Sequence, residues 1–138
     1  MSKMKPYRQQ HADIIAAALE LERHLDAGRL LTDASHAKKL LALLAEKMTL
    51  HLAAENSHLY PDLARSGNEQ LKRLAAKFAQ EMGPITKAFT NYVAGWPTPS
   101  AIKGDPNAFN AETRNILAVL RARLKRENQE LYALADSP

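Results

Sequence analysis

A histidine and a glutamate lie four residues apart near the middle of the chain, at His51 and Glu55. In a helix this spacing places both side chains on one face. The same face carries Leu44, Met48 and Leu59, a pattern that is typical of a buried core. Burying a carboxylate and an imidazole is costly unless they are paired or bind a metal. The pattern therefore indicates either a metal site or a metal-free cluster of hydrogen-bonded side chains.

A second histidine, His11, lies on the inward stripe of the helix predicted nearest the N-terminus. If the first two helices form a hairpin, His11, His51 and Glu55 can meet at one point. Neutral imidazoles together with carboxylate oxygen suit iron, zinc or manganese. Facing helices that supply His and Glu are also how metal sites are built in helical bundles.

The stretch HLAAENSHLY at 51–60 returns as RLKRENQELY at 123–132. HADI at 11–14 and MGPI at 82–85 precede the two copies at nearly equal spacing. The chain therefore resembles two copies of one helical hairpin, in which Met82 replaces His11 and Arg123 replaces His51. The letters kept in the longer stretch are the pairs Leu52/Leu124, Glu55/Glu127, Asn56/Asn128, Leu59/Leu131 and Tyr60/Tyr132.

Four helices separated by Gly, Pro and Asn signals position these residues. Short connections between the first three predict antiparallel neighbours, so we expect an all-α, up-down-up-down four-helix bundle that forms one domain over 1–138. Gly83-Pro84 is expected to kink or loosen the third helix. The predicted helices run from about Pro6 to Ala27, from Thr32 or Asp33 to Tyr60, over about 69–93, and onward from a cap at Asn110.

Composition excludes several classes of function. The chain has no cysteine, which excludes disulfides and thiolate metal sites. We find no signal peptide or membrane-spanning run, and we expect a cytoplasmic protein. The net charge of +4 permits an acidic partner, but no nucleic-acid recognition motif is present. The sequence leaves a protein partner and the oligomeric state open.

The stretches HADI, HLAAENSHLYPDL and RLKRENQELYALA resemble the hemerythrin-like HHE cation-binding domain, from about His11 to Ala135. The resemblance implies two irons, each held by a histidine of one helix and an HxxxE motif of the next, with the glutamates bridging. The first half-site is intact as His11, His51 and Glu55. In the second, Met82 and Arg123 stand where histidines are expected, and only Glu127 remains.

A guanidinium at position 123 carries a permanent positive charge and donors that match a carboxylate. We therefore hypothesise that Arg123 replaces the second cation by pairing with Glu55, Glu127 or both, while Met82 fills the vacated ligand space. The alternative is that Arg123 is a solvated residue on the basic stretch 121–127.

We expect a regulatory or sensor protein with no enzymatic activity. It would hold at most one metal, iron or else zinc or manganese, through His11, His51, Glu55 and Glu127. An oxygen carrier of this family needs two irons, so we do not expect this chain to carry oxygen. One alternative is a metal-free interaction module that uses the basic stretch 121–127 or the loop around Trp96.

A further alternative is histidine phosphotransfer at His36, which Lys39 follows by three residues. In the other readings we expect His24 and His36 to be solvated. We expect His58 to lie at the rim of the site and Trp96 to cap one end of the bundle.

Overall fold

The computed structural model describes residues 3–137, and within that range all regular structure is helical. Two short π-helical segments, Glu55–Leu59 and Glu127–Tyr132, interrupt the α-helices. No helix of the described chain is both long enough and apolar enough to cross a membrane. The α-helices are α1 Lys5–Glu22, α2 Ala27–Thr32, α3 Ala34–Ala54, α4 Tyr60–Ala64, α5 Glu69–Ala94, α6 Pro99–Gly104, α7 Pro106–Arg126 and α8 Ala133–Ala135.

The first helix ends earlier than predicted. Helix α1 ends at Glu22 rather than at Ala27, and a new helix, α2, begins at Ala27. The Asp26 carboxylate caps α2 by accepting a hydrogen bond from the Gly28 backbone N–H at 2.8 Å. A local cap of this kind competes with continuation of the preceding helix.

The second predicted helix runs further than expected. Its α3 part begins at Ala34 as predicted, but the chain passes through the π segment Glu55–Leu59 into α4, which ends at Ala64. Pro61 was predicted to end the helix after Tyr60. Instead it lies in the first turn of α4, where a missing N–H is tolerated.

Helix α5 matches the predicted third helix closely and runs through Pro84 without a break. Gly83 and Pro84 are exposed, so a backbone carbonyl that loses its helical partner there can reach solvent. The fourth helix, α7, begins earlier than predicted because Asp105 is its cap, accepting from Ala108 N–H at 3.1 Å. Asn110 instead donates to the Leu25 carbonyl.

The stretch between α5 and α7, predicted as a loop, contains α6. Trp96 is buried and packs edge-on against Phe109, with ring centroids 5.1 Å apart. The Trp96 side chain therefore belongs to the larger apolar cluster of the core, while its neighbours Gly95, Pro97 and Thr98 are exposed.

Helix α1 packs against α3 and α7, and α5 packs against α7, which forms a helical bundle. The core consists of two apolar clusters. Met48 on α3 belongs to the larger cluster and Leu59 to the smaller one, with His51 and Glu55 between them in the chain. The polar residues predicted from the sequence therefore lie inside the bundle.

Candidate metal centre

Four buried residues from distant parts of the chain converge inside the bundle. His11 comes from α1, His51 from the last turn of α3, and Glu55 and Glu127 from the starts of the two π segments. One ligand atom of each lies within 4.8 Å of the others, and each residue is at most 2% exposed. The structure thus brings together the residues that the sequence predicted as ligands.

The two π segments begin at equivalent positions of the repeat, Glu55 and Glu127. In the first, the Tyr60 N–H donates to the Glu55 carbonyl five residues earlier. A π turn brings residues five apart to one side of the helix, whereas an α-helix aligns residues three and four apart. Each segment therefore carries its tyrosine, Tyr60 or Tyr132, toward the same region as its glutamate.

The two imidazoles are oriented by amide side chains. His11 Nδ1 lies 2.9 Å from Asn128 Oδ1, and His51 Nδ1 lies 2.6 Å from Gln10 Oε1. Because both amide oxygens can only accept, each Nδ1 carries the hydrogen. Each Nε2 is then free to present its lone pair to the centre of the site, as metal-ligating histidines do.

The two Nε2 atoms face one another at 3.0 Å. With hydrogens on both Nδ1 atoms, two lone pairs face each other across this distance. A hydrogen bond between them would require one imidazole to be protonated, and burial of His51 disfavours that charge. Glu55 Oε1 lies 3.3 Å from His51 Nε2 and has no hydrogen-bond partner among residues 3–137. A cation between these atoms would satisfy all of them.

The spacing of the donors also fits a metal. Glu127 Oε1 lies 3.0 Å from His11 Nε2 and 3.7 Å from His51 Nε2. With metal–ligand bonds of about 2.1 Å, neighbouring ligand atoms lie about 3.0–3.4 Å apart. The site therefore has nearly the dimensions of a coordination shell.

The two carboxyl groups have opposite electrostatic environments. Burial, together with the neighbouring charge of Glu127, raises the pKa of Glu55 to about 9. Burial also acts to raise the pKa of Glu127, but its interactions with the neighbouring His11 and His51 imidazoles outweigh burial and hold that pKa below its usual range. Burial lowers the pKa of His51, which favours the neutral imidazole that a metal requires.

Arg123 points into the bundle and is 3% exposed. Its Nη2 donates to the Phe78 carbonyl at 2.6 Å and to the Tyr60 hydroxyl at 3.3 Å. Its Nε lies 3.5 Å from Glu127 Oε2, an ion pair without a hydrogen bond. The solvated alternative for Arg123 is thus wrong. Of the two expected carboxylate partners, Glu127 is in contact, while no direct ion pair joins Arg123 to Glu55 among the described residues.

Met82 lies one helical turn after Phe78 and is buried in the larger apolar cluster. It therefore occupies an apolar position next to the residue whose carbonyl accepts from Arg123. The hypothesis that Met82 fills the space of a lost ligand histidine stays a prediction.

The remaining histidines lie outside the centre. His24 and His36 were expected to be solvated, but both are half-buried and their rings are in edge-to-face contact at 4.6 Å. His24 Nδ1 also lies 2.9 Å from the Glu20 carbonyl oxygen. His58 is exposed. The sequence did not indicate the His24–His36 contact, because the two residues lie in different predicted helices.

Two tyrosines at the site were missed as functional candidates. Tyr60 donates to Glu127 Oε2 at 3.2 Å, and Tyr132 donates to Glu55 Oε2 at 2.8 Å. The signal was present in the repeat, since both copies keep Glu and Tyr five residues apart. An α-helical period, applied to the whole of each helix, places these tyrosines away from the face that carries the glutamates. They were therefore not considered as site residues.

Comparison with known proteins agrees with this geometry. One family model, that of the hemerythrin HHE cation binding domain, matches residues 5–135. No curated protein and no solved structure matches the chain. The match covers both half-sites, the intact one and the one that carries Arg123. The chain belongs to the hemerythrin HHE cation-binding domain family.

Proposed function

We propose that this protein is a hemerythrin-like domain that binds a single metal ion and serves a regulatory or sensor role. The ligands are His11, His51, Glu55 and Glu127. Two imidazole nitrogens and carboxylate oxygens suit iron, zinc or manganese, and the family favours iron. The observation that carries the proposal is the pair of inward-facing Nε2 atoms 3.0 Å apart, which the metal-free site leaves poorly satisfied.

Arg123 is the reason for proposing one metal rather than two. Its guanidinium lies beside Glu127 Oε2, on the side of the site that the second hairpin supplies. A divalent ion there would be repelled by this permanent charge. Oxygen transport of the hemerythrin type needs two irons, so we propose sensing or regulation instead. An iron bound here would supply one Lewis-acidic, redox-active centre.

We also propose that the bundle has up-down-up-down topology with the repeat as two hairpins. The packing of α1 on α3 and of α5 on α7 supports this arrangement. In this topology the HxxxE-type positions of the two hairpins face each other, which accounts for the approach of Glu55 and Glu127 from different hairpins. Both glutamates can then contribute to one ion.

The amide that orients His51 provides a test of metal binding. We expect Gln10→Leu to lower metal affinity by about 10–100-fold, because His51 loses the acceptor that holds Nδ1–H and keeps Nε2 free. Isothermal titration of metal-free protein with Fe²⁺ or Zn²⁺ measures the change. Gln9→Leu is the matched control, since Gln9 is an exposed neighbour that bonds only Asp13 in the described chain.

Equal affinities for Gln10→Leu and wild type would contradict the assigned orientation of His51. If the wild-type protein binds no metal at all, the metal-free interaction module becomes the better account of this chain.

A further inference from the structure

Tyr132 lies against the candidate metal centre in a way that its role in the core does not require. Its hydroxyl oxygen is 2.8 Å from Glu55 Oε2 and 3.1 Å from His11 Nε2. The residue is fully buried, and its ring stacks on His11 with centroids 5.0 Å apart. The hydroxyl is therefore fixed beside two of the four ligands.

The hydrogen bonding of Tyr132 is incomplete. Its single hydrogen can point to Glu55 Oε2 or to His11 Nε2, but not to both. Because His11 Nδ1 carries the imidazole hydrogen, the Nε2 lone pair faces the hydroxyl oxygen if Tyr132 donates to Glu55. The hydroxyl oxygen thus has the same excess of lone pairs as the two facing imidazoles.

Tyr60 differs in this respect. Its hydroxyl donates to Glu127 Oε2 and accepts from Arg123 Nη2. That hydroxyl therefore acts both as a hydrogen-bond donor and as an acceptor within the protein. Tyr60 and Tyr132 are equivalent in the repeat but unequal at the site. Of the two hydroxyls, that of Tyr132 contacts a nitrogen ligand, His11 Nε2.

The distances from Tyr132 match those between ligands. Atoms bound to one metal at about 2.1 Å lie about 3.0–3.4 Å from their neighbours. The hydroxyl oxygen is 3.1 Å from His11 Nε2, and His11 Nε2 is 3.0 Å from both His51 Nε2 and Glu127 Oε1. The separation of the Tyr132 oxygen from His11 Nε2 is therefore the separation expected between two neighbouring ligand atoms.

We propose that Tyr132 is a fifth metal ligand, bound through its phenolate oxygen, and that it makes the site selective for trivalent iron. This inference rests on the proposed metal-binding function. As the metal–oxygen bond forms, the O–H bond of Tyr132 breaks and its proton leaves to solvent. Glu55 is protonated in the metal-free site at neutral pH, so its proton also leaves to solvent when it binds the metal. No electron is transferred in this step.

The anionic donors favour a trivalent ion. Glu55, Glu127 and a Tyr132 phenolate carry three negative charges, and each attracts a trivalent ion more strongly than a divalent one. Arg123 lies beside Glu127 and Glu81, at 3.5 Å and 3.7 Å, so it offsets part of this charge without binding the ion.

The experiment loads metal-free wild-type, Tyr132→Phe and Tyr92→Phe proteins with Fe³⁺ and measures iron content and visible absorption on the same samples. Tyr92 is the matched control, a buried tyrosine whose hydroxyl lies 2.6 Å from Thr113 Oγ1 and not at the site. We expect iron in all three. A phenolate-to-iron charge-transfer band should appear in wild type and in Tyr92→Phe but not in Tyr132→Phe. Competition with Zn²⁺ should show the preference for Fe³⁺ reduced by about 10-fold or more in Tyr132→Phe alone.

Iron-loaded wild-type protein without this band, or a band that persists in Tyr132→Phe, would overturn the assignment of Tyr132 while leaving metal binding intact. Wild-type protein that binds no metal would overturn the proposed function itself. A measurement that needs no variant guards against misfolding of Tyr132→Phe. Resonance Raman spectra of wild type grown with deuterated tyrosine should show shifted phenolate modes, and unshifted modes would refute a tyrosine ligand.

Discussion

Arg123→Ala is expected to lower the free energy of unfolding of the metal-free protein by about 3–5 kcal/mol at pH 7. Among the described residues, three basic side chains lie in ion-pair contact with buried Glu127: Arg123, His11 and His51. The substitution removes Arg123, which is the permanently charged one. It also leaves the Phe78 carbonyl without the donor that reaches it at 2.6 Å. A buried charge that loses its partner keeps its full desolvation penalty.

Urea unfolding measures this loss, and Arg126→Ala is the matched control. Arg126 lies on the same helix and over the same Phe78 ring, but its side chain is 40% exposed and pairs with Glu130. Exposed pairs of this kind contribute under about 1 kcal/mol. The comparison therefore separates the effect of burial from that of charge.

A double-mutant cycle identifies the partner of Arg123. If the guanidinium replaces a second cation, Arg123→Ala combined with Glu127→Gln should recover a substantial part of the loss, with a coupling of about 0.5–3 kcal/mol. A loss below about 1 kcal/mol for Arg123→Ala, or no coupling with Glu127, would contradict the role of Arg123 as a substitute cation.

His11→Ala is expected to reduce metal affinity by more than about 100-fold, because a ligand lost outright costs more than a lost supporting hydrogen bond. His11 Nε2 is the atom nearest to the other donors, within 3.1 Å of His51 Nε2, Glu127 Oε1 and the Tyr132 oxygen. Equilibrium dialysis against metal, followed by elemental analysis, measures the change.

The control is His24→Ala, which removes a half-buried imidazole outside the centre, hydrogen-bonded in the described structure only to the Glu20 backbone carbonyl. It should leave metal affinity unchanged. If His11→Ala retains wild-type affinity, the metal lies somewhere other than the cluster around His11.

The location of the site could be predicted from the sequence because two independent patterns agreed. Helical periodicity placed His51 and Glu55 on the core side, and the repeat connected Glu55 with Glu127. The structure brings these three residues and His11 together. The prediction of an inward Arg123 remained open at that stage, since a long side chain can leave the core face and reach solvent. The Phe78 carbonyl, which holds it inside, lies on another helix.

The positions of the two tyrosines and of several helix ends could not be predicted, because they depend on interactions that α-helical periodicity does not encode. The π segments shift the register at Glu55 and Glu127, so the positions of Tyr60 and Tyr132 could not be read from a period of 3.6 residues. The helix ends were misplaced where an aspartate cap, Asp26 or Asp105, began a new helix sooner than expected. Such caps are short-range contacts that compete with longer helical patterns.

The most direct measurement is the metal content of iron-saturated protein after excess iron has been removed. The account predicts one iron per chain and no absorption from an oxo-bridged pair, because the buried Arg123 guanidinium lies on the side of Glu127 where a second ion would bind. Two irons per chain together with oxo-bridge absorption would contradict it.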